Sequence, residues 1–94
     1  MSAVAKRIRI HGRVQGVAYR AWTVETAEAL GVRGWVRNRS DGTVEALLVG
    51  QVSVVQAMIE ACRDGPPAAR VARIDVEDDV PPPDAGGFRH VPTV

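Results

Sequence analysis

Apolar residues in this chain recur alternately at strand spacing and at helical spacing, and the order of the two spacings restricts the fold. An apolar residue at every second position predicts a half-buried strand, whereas intervals of three and four predict an amphipathic helix. Ser40-Asp41-Gly42 predicts a hairpin turn between the two central strands. The predicted elements in chain order are a strand at 4–11, a helix at 19–30, strands at 32–39 and 43–49, a helix from 52 to the stop at Gly65-Pro66-Pro67, a strand from 72 into the acidic run 77–79, and a short strand at 88–91.

The order β-α-β-β-α-β, with a small fifth strand, is that of a ferredoxin-like two-layer sandwich in the α+β class. Such a fold has one mostly antiparallel sheet with both helices on a single face. The prolines at 81–83 should end the fourth strand, and Pro92 should confine the last strand to a sheet edge. With 94 residues we expect a single domain, 1–94, whose core is aliphatic because aromatic residues make up only 4% of the chain.

Charge and cysteine content exclude several classes of protein. The 12 basic and 11 acidic residues give a formal net charge of +1, which argues against a nucleic-acid partner. A single cysteine, Cys62, excludes an internal disulfide framework and a multi-cysteine zinc site. Residues 1–6 lack the apolar core of a signal peptide, and no stretch approaches the roughly 20 apolar residues of a membrane span. We therefore expect a cytoplasmic monomer without a membrane partner.

A glycine-bracketed loop precedes the first predicted helix. Gly12 and Gly16 permit the positive φ angles that turn backbone N–H groups toward one point, and the helix N-terminus adds further unsatisfied N–H groups. Arg20, in the first helical turn, is placed to clamp a phosphate with its planar guanidinium. By itself this pattern is weak, since a tight turn beside a solvated arginine has the same composition. The loop lacks the Gly-Lys-Ser/Thr of a Walker A motif, so ATP hydrolysis of the usual kind is not expected.

Two longer segments resemble the signatures of the acylphosphatase family. Residues 12–20 (GRVQGVAYR) are similar to its first signature, and residues 34–45 (GWVRNRSDGTVE) are similar to its second. Their order and their predicted strand-loop-helix and strand-turn-strand contexts also agree, and the similarity extends over the whole chain. The resemblance implies an enzyme, an acylphosphatase, that hydrolyses small acyl phosphates to a carboxylate and inorganic phosphate without a metal or cofactor.

The resemblance also implies roles for single residues. Arg20 matches the arginine that binds the substrate phosphoryl group, and Asn38 matches the asparagine that orients the attacking water. The phosphate-binding backbone corresponds to Gln15, Gly16, Val17, Ala18, Tyr19 and Arg20. Two positions depart from the family pattern: Ala18, where many members have a larger residue or glycine, and His90, which stands where an inward apolar residue is expected. The pairing of the last strand is therefore left open.

The chemistry of an acyl phosphate fits these residues. Its carboxylate is a good leaving group, so positioning and charge stabilisation should suffice for hydrolysis. N–H donors and Arg20 would stabilise the charge that spreads over the equatorial phosphoryl oxygens. No Ser, Cys or His in the motif is placed as a covalent nucleophile, which leaves water, oriented by Asn38. Inorganic phosphate, as the product, should inhibit.

Several other residues of the chain have structural explanations, and other functions share part of its pattern. Structural roles are expected for His11 on the polar side of its strand, Cys62 on an apolar helix face, and Trp22 beside the sheet. An RNA-binding module shares the element order but stacks bases on aromatic residues, which strand 43–49 lacks. A catalytically silent ligand-binding domain and a phosphatase for another anhydride stay open, and the acyl group has no motif of its own.

Overall fold

The computed structural model describes residues 3–78 and 86–94. Its elements are β1 (Ala3–Arg13), α1 (Tyr19–Leu30), β2 (Arg33–Asn38), β3 (Val44–Gln51), α2 (Val52–Asp64), β4 (Arg70–Asp78) and β5 (Phe88–His90). The predicted order and the ferredoxin-like α+β class are confirmed. The predicted proline stop at 81–83 and Asp79 of the acidic run lie outside the described residues.

The strands within the described residues form one sheet in the order β4-β1-β3-β2-β5. Its pairs are antiparallel except for β2 and β5, which are parallel. β5 pairs with β2 from Gly34↔Phe88 to Val36↔His90 and lies at the sheet edge, in agreement with the prediction from Pro92. This pairing answers the question that His90 raised about the last strand.

The core lies between the helices and one face of the sheet and is mainly aliphatic. Tyr19 is the largest of the fully buried side chains among the described residues, and its hydroxyl donates to the Cys62 carbonyl at 2.5 Å. Burial, together with the contact to Cys62, raises the pKa of Tyr19, and burial raises the pKa of the Cys62 thiol to about 11. Neither side chain is therefore ionised near neutral pH, and Cys62 is a core residue. Other members of this core are Ile8, Ile10, Val36, Val44, Leu48, Val55, Met58 and Ile59.

β1 is longer than the predicted strand 4–11, because residues 12 and 13 continue its pairing with β4. The register shifts between His11 and Gly12, and Gly12 then pairs with Val71. Gly12 has a φ of +127°, and a Cβ at this position would lie 2.1 Å from the Arg70 carbonyl oxygen. The prediction that Gly12 opens the loop is therefore wrong: it forms a strand irregularity that requires glycine.

Candidate active site

The junction between β1 and α1 presents unsatisfied backbone N–H groups. Within residues 3–78 and 86–94, no carbonyl accepts a hydrogen bond from the backbone N–H groups of residues 15–18. The first turn of α1 has neither a capping side-chain hydrogen bond nor an acidic residue. Its N–H groups therefore lack partners, and no local carboxylate offsets the positive end of the helix dipole. Such a junction is suited to an oxyanion.

Ala18 joins the loop to α1 in a conformation that favours glycine. It has a φ of 63° and a ψ of 25°, in the left-handed region. A residue with a Cβ is disfavoured there by about 1–2 kcal/mol. The exposed side chain of Ala18 offers little burial to offset this cost.

Replacing Ala18 by glycine should stabilise the protein by about 0.5–1 kcal/mol, because relief of the left-handed strain exceeds the added entropy of the unfolded chain. Urea unfolding should show this as a higher midpoint with an unchanged slope. The matched control is Ala57→Gly, an exposed position inside α2, where glycine should instead cost about 1 kcal/mol. Equal destabilisation by the two changes would contradict the strain at Ala18.

Arg20 lies in the first turn of α1 and lines a cavity of about 170 Å³. Its Nη1 is 2.7 Å from Nε2 of His90. The described residues that line the cavity are Val14, Gly16, Ala18, Tyr19, Arg20, Ala21, Asn38 and His90. No carboxylate occurs among these lining residues, so the positive charge of the guanidinium is not cancelled inside the cavity.

Asn38, the last residue of β2, lines the same cavity. Its Oδ1 atom is buried and accepts no hydrogen bond from the described residues. An amide oxygen buried without a partner costs about 1–3 kcal/mol, so the site favours a polar molecule that can donate to it. The backbone of Asn38 is held by pairing with Val44 and by a bond of 3.3 Å from the Val94 N–H to its carbonyl.

The structure therefore brings Arg20 and Asn38 together at one cavity, although they lie on different elements. Of the predicted backbone residues, Gly16, Ala18 and Tyr19 also line it. Gln15 and Val17 are not among the lining residues, since the Val17 side chain is buried in the core and that of Gln15 is bonded to the β2–β3 hairpin. Their predicted role concerns their backbone N–H groups, which no carbonyl of the described residues engages. Sequence reasoning did not predict His90 at the site. The one sign in the sequence is that His90 stands at a position of the last strand where the alternation predicts an apolar residue.

Gln15 connects the loop to the hairpin that follows Asn38. Its Nε2 donates to the carbonyl oxygens of Arg39 at 2.8 Å and Thr43 at 2.9 Å. The loop that precedes Arg20 is thus bonded directly to the β2–β3 connection that follows Asn38. Hydrogen bonds of this kind, made by residues beside a site, restrict the relative positions of the groups that line it.

The hairpin itself has the turn chemistry that its sequence predicted. Asp41 Oδ1 accepts from the Thr43 hydroxyl at 2.6 Å and from the Thr43 N–H at 3.0 Å. These two hydrogen bonds lower the pKa of Asp41. The Gly42 N–H donates to the Arg39 carbonyl at 3.1 Å and closes the turn. Asp41 and Gly42 therefore shape the hairpin and do not line the cavity.

A larger cavity, of about 540 Å³, lies on the sheet face opposite the core, but its charges are paired with each other. Arg37 and Arg39 approach the buried Glu45 carboxylate at 2.8 and 3.0 Å. Burial alone would raise the pKa of Glu45, yet hydrogen bonds from these two arginines outweigh it and lower that pKa. His11 lies 2.9 Å from Asp75 on the same face, in agreement with its predicted structural role. The arginines of this cavity are therefore engaged by carboxylates, whereas Arg20 has no carboxylate among the described lining residues of its own cavity.

Among residues 3–78 and 86–94, no group of three or more His, Cys, Asp or Glu side chains is arranged to hold a metal ion. Neither α1 nor α2, the helices that the structure describes, has the length and apolarity needed to cross a membrane.

The fold and the cavity together describe a small ferredoxin-like protein with an arginine-lined cavity, free of carboxylates among its described lining residues, at a strand-loop-helix junction. A family model described as Acylphosphatase matches residues 6–90. The chain belongs to the acylphosphatase family, which confirms the resemblance seen in its two motifs.

Similar proteins cover nearly the same length. An acylphosphatase of Rhodospirillum rubrum is 58% identical over 87 residues, which is 93% of this chain and 94% of the relative. An acylphosphatase of Rhizorhabdus wittichii is 56% identical over 91 residues, 97% of this chain and 91% of the relative. The crystal structure of acylphosphatase from Bacillus subtilis has 35% sequence identity and a TM-score of 0.89, covering 94% of this chain and 98% of that one.

Proposed function

We propose that this chain hydrolyses small acyl phosphates to a carboxylate and inorganic phosphate, by direct attack of water on the phosphoryl group. Membership of the acylphosphatase family supports the class of reaction. The observation that carries the choice of site is the common cavity of Arg20 and Asn38. A cation and a buried, unpartnered amide oxygen there border one space of about 170 Å³.

The phosphoryl group is bound by charge and by directed N–H donors. Backbone N–H groups of the segment from Gln15 to Arg20 surround its oxygens, and the Arg20 guanidinium donates to them in addition. Negative charge spreads over the equatorial oxygens in the transition state, so fixed donors stabilise that state without reorganising. The unneutralised N-terminus of α1 adds to the same attraction.

Asn38 orients the attacking water. Its Oδ1 accepts a hydrogen bond from the water, which holds the water oxygen in line with phosphorus and removes entropy from the barrier. The water oxygen forms a bond to phosphorus while the bond from phosphorus to the acyl oxygen breaks. The carboxylate leaves with the electron pair of that bond, and the protons of the water pass to phosphate and solvent. A loose transition state requires little prior deprotonation of the water.

A substrate panel tests this proposal. Benzoyl phosphate should be hydrolysed far faster than ATP or a phosphomonoester, because only the acyl phosphate has a good carboxylate leaving group. The rate should persist in excess chelator, since the proposed chemistry uses no metal or cofactor, and inorganic phosphate should compete with substrate. Binding of phosphate without any turnover would favour the silent ligand-binding domain, and reversible loss of turnover on chelation would contradict the metal-free mechanism.

The remaining expectations concern the setting of the enzyme. We expect the protein to be a monomer, to act in the cytoplasm and to have no nucleic-acid partner. These predictions depend on the balanced charge and on Cys62 as the sole cysteine. Sedimentation at assay concentration should give the mass of one chain, 10.1 kDa. A stable dimer would contradict it.

A further inference from the structure

His90 brings the C-terminal strand to the cavity. It lies opposite Val36 on β2, on the same side of β5 as the buried Phe88. An apolar residue would be expected there, yet the His90 imidazole lies 2.7 Å from the guanidinium of Arg20, which is 70 positions away in the chain.

We infer that His90 is a positioning residue that holds the Arg20 guanidinium in the orientation that binds the phosphoryl group. The inference rests on the proposed function of Arg20. A guanidinium has donors and no acceptor, so the short contact requires Nε2 of His90 to accept. The imidazole is then neutral, with its proton on Nδ1.

A neutral acceptor suits this task better than a carboxylate. A carboxylate bonded to Arg20 would cancel its charge and compete directly with the substrate for the guanidinium. The imidazole nitrogen restrains the side chain while leaving its charge in place. His90 engages one guanidinium nitrogen, Nη1, so other N–H donors of Arg20 are left for phosphoryl oxygens.

The C-terminal segment also fixes His90 relative to Asn38. The Val91 N–H donates to the Val36 carbonyl at 2.9 Å, and the Val94 N–H donates to the Asn38 carbonyl at 3.3 Å. The Val94 carbonyl in turn accepts from the Ser40 N–H at 2.6 Å. The segment that carries His90 is therefore bonded to β2 at Val36 and Asn38 and to the following turn at Ser40. Through this segment the orientation of Arg20 is set with respect to the residue that orients the water.

Kinetics of His90→Leu and His90→Gln test the inference. Leucine removes the acceptor, so the KM for benzoyl phosphate and the inhibition constant of phosphate should rise together by about 10-fold, as expected for one hydrogen bond to a charged group. Glutamine supplies an acceptor oxygen and should recover most of that loss. The matched control is His11→Leu, the same change on the opposite sheet face, which should leave both constants unchanged. Urea unfolding of each variant checks that it remains folded.

A double mutant separates this inference from the proposed function. Adding His90→Leu to Arg20→Ala should not weaken substrate or phosphate binding further, because the two changes remove the same interaction. An equal loss from His90→Leu with and without Arg20 would overturn the positioning role. So would wild-type constants in a folded His90→Leu protein, or failure of the glutamine variant to recover. If Arg20→Ala itself kept full turnover, the proposed site would be wrong, whatever the His90 variants showed.

Discussion

Replacing Arg20 by alanine should lower kcat/KM for benzoyl phosphate by about 100- to 1000-fold, the loss typical of one preorganised donor at a developing oxyanion. Both the charge and the directed N–H groups of the guanidinium disappear from a cavity whose described lining contains no other arginine or lysine. The measurement is steady-state hydrolysis, with the inhibition constant of phosphate determined in parallel. That constant should rise as well, because the ground-state phosphate uses the same donors.

The matched control for Arg20 is Arg63→Ala. Arg63 is an exposed helical arginine on α2, and its side chain pairs with Glu60 at 3.1 Å. Its loss should leave kcat/KM at the wild-type value, because surface ion pairs of this kind contribute little. Near-native turnover in a folded Arg20→Ala protein would remove Arg20 from the mechanism.

Replacing Asn38 by alanine should lower kcat by about 100-fold, with a much smaller change in the KM for benzoyl phosphate. The reason is that Asn38 is proposed to orient the water rather than to bind the phosphoryl group. Alanine removes the buried Oδ1 acceptor but keeps the β2 backbone that pairs with Val44. Phosphate binding should accordingly survive, so the inhibition constant of phosphate should stay near the wild-type value.

Gln56→Ala is the matched control, since it removes an exposed amide on α2 away from the cavity. It should retain wild-type kcat. A folded Asn38→Ala variant that loses phosphate affinity in proportion to kcat would show that Asn38 binds substrate instead of water. Together, Arg20→Ala and Asn38→Ala distinguish binding of the phosphoryl group from attack by water, because each change should affect a different kinetic constant.

The local parts of the site could be predicted from the sequence. Helix α1 begins at Tyr19 and ends at Leu30, as its apolar spacing and Gly31 indicated. The turn at residues 40–42 forms because Asp41 accepts hydrogen bonds from Thr43, two residues away. These features depend on neighbours in the chain, so propensity and turn chemistry suffice to predict them. The end of β1 could not be predicted in this way, because the pairing of Gly12 with Val71 on β4 extends it.

The assembly of the site depends on contacts that periodicity does not encode. Gln15 reaches carbonyls 24 and 28 positions away, and Arg20 meets His90 across 70 positions. The parallel pairing of β5 with β2 decides the latter contact, and a strand of three residues carries too little pattern to predict its partner. Sequence alone thus predicted the fold class, and the family resemblance implied the phosphate-binding loop and the roles of Arg20 and Asn38. The tertiary structure added the contact between His90 and Arg20, because strand order and register bring together side chains that are far apart in the sequence.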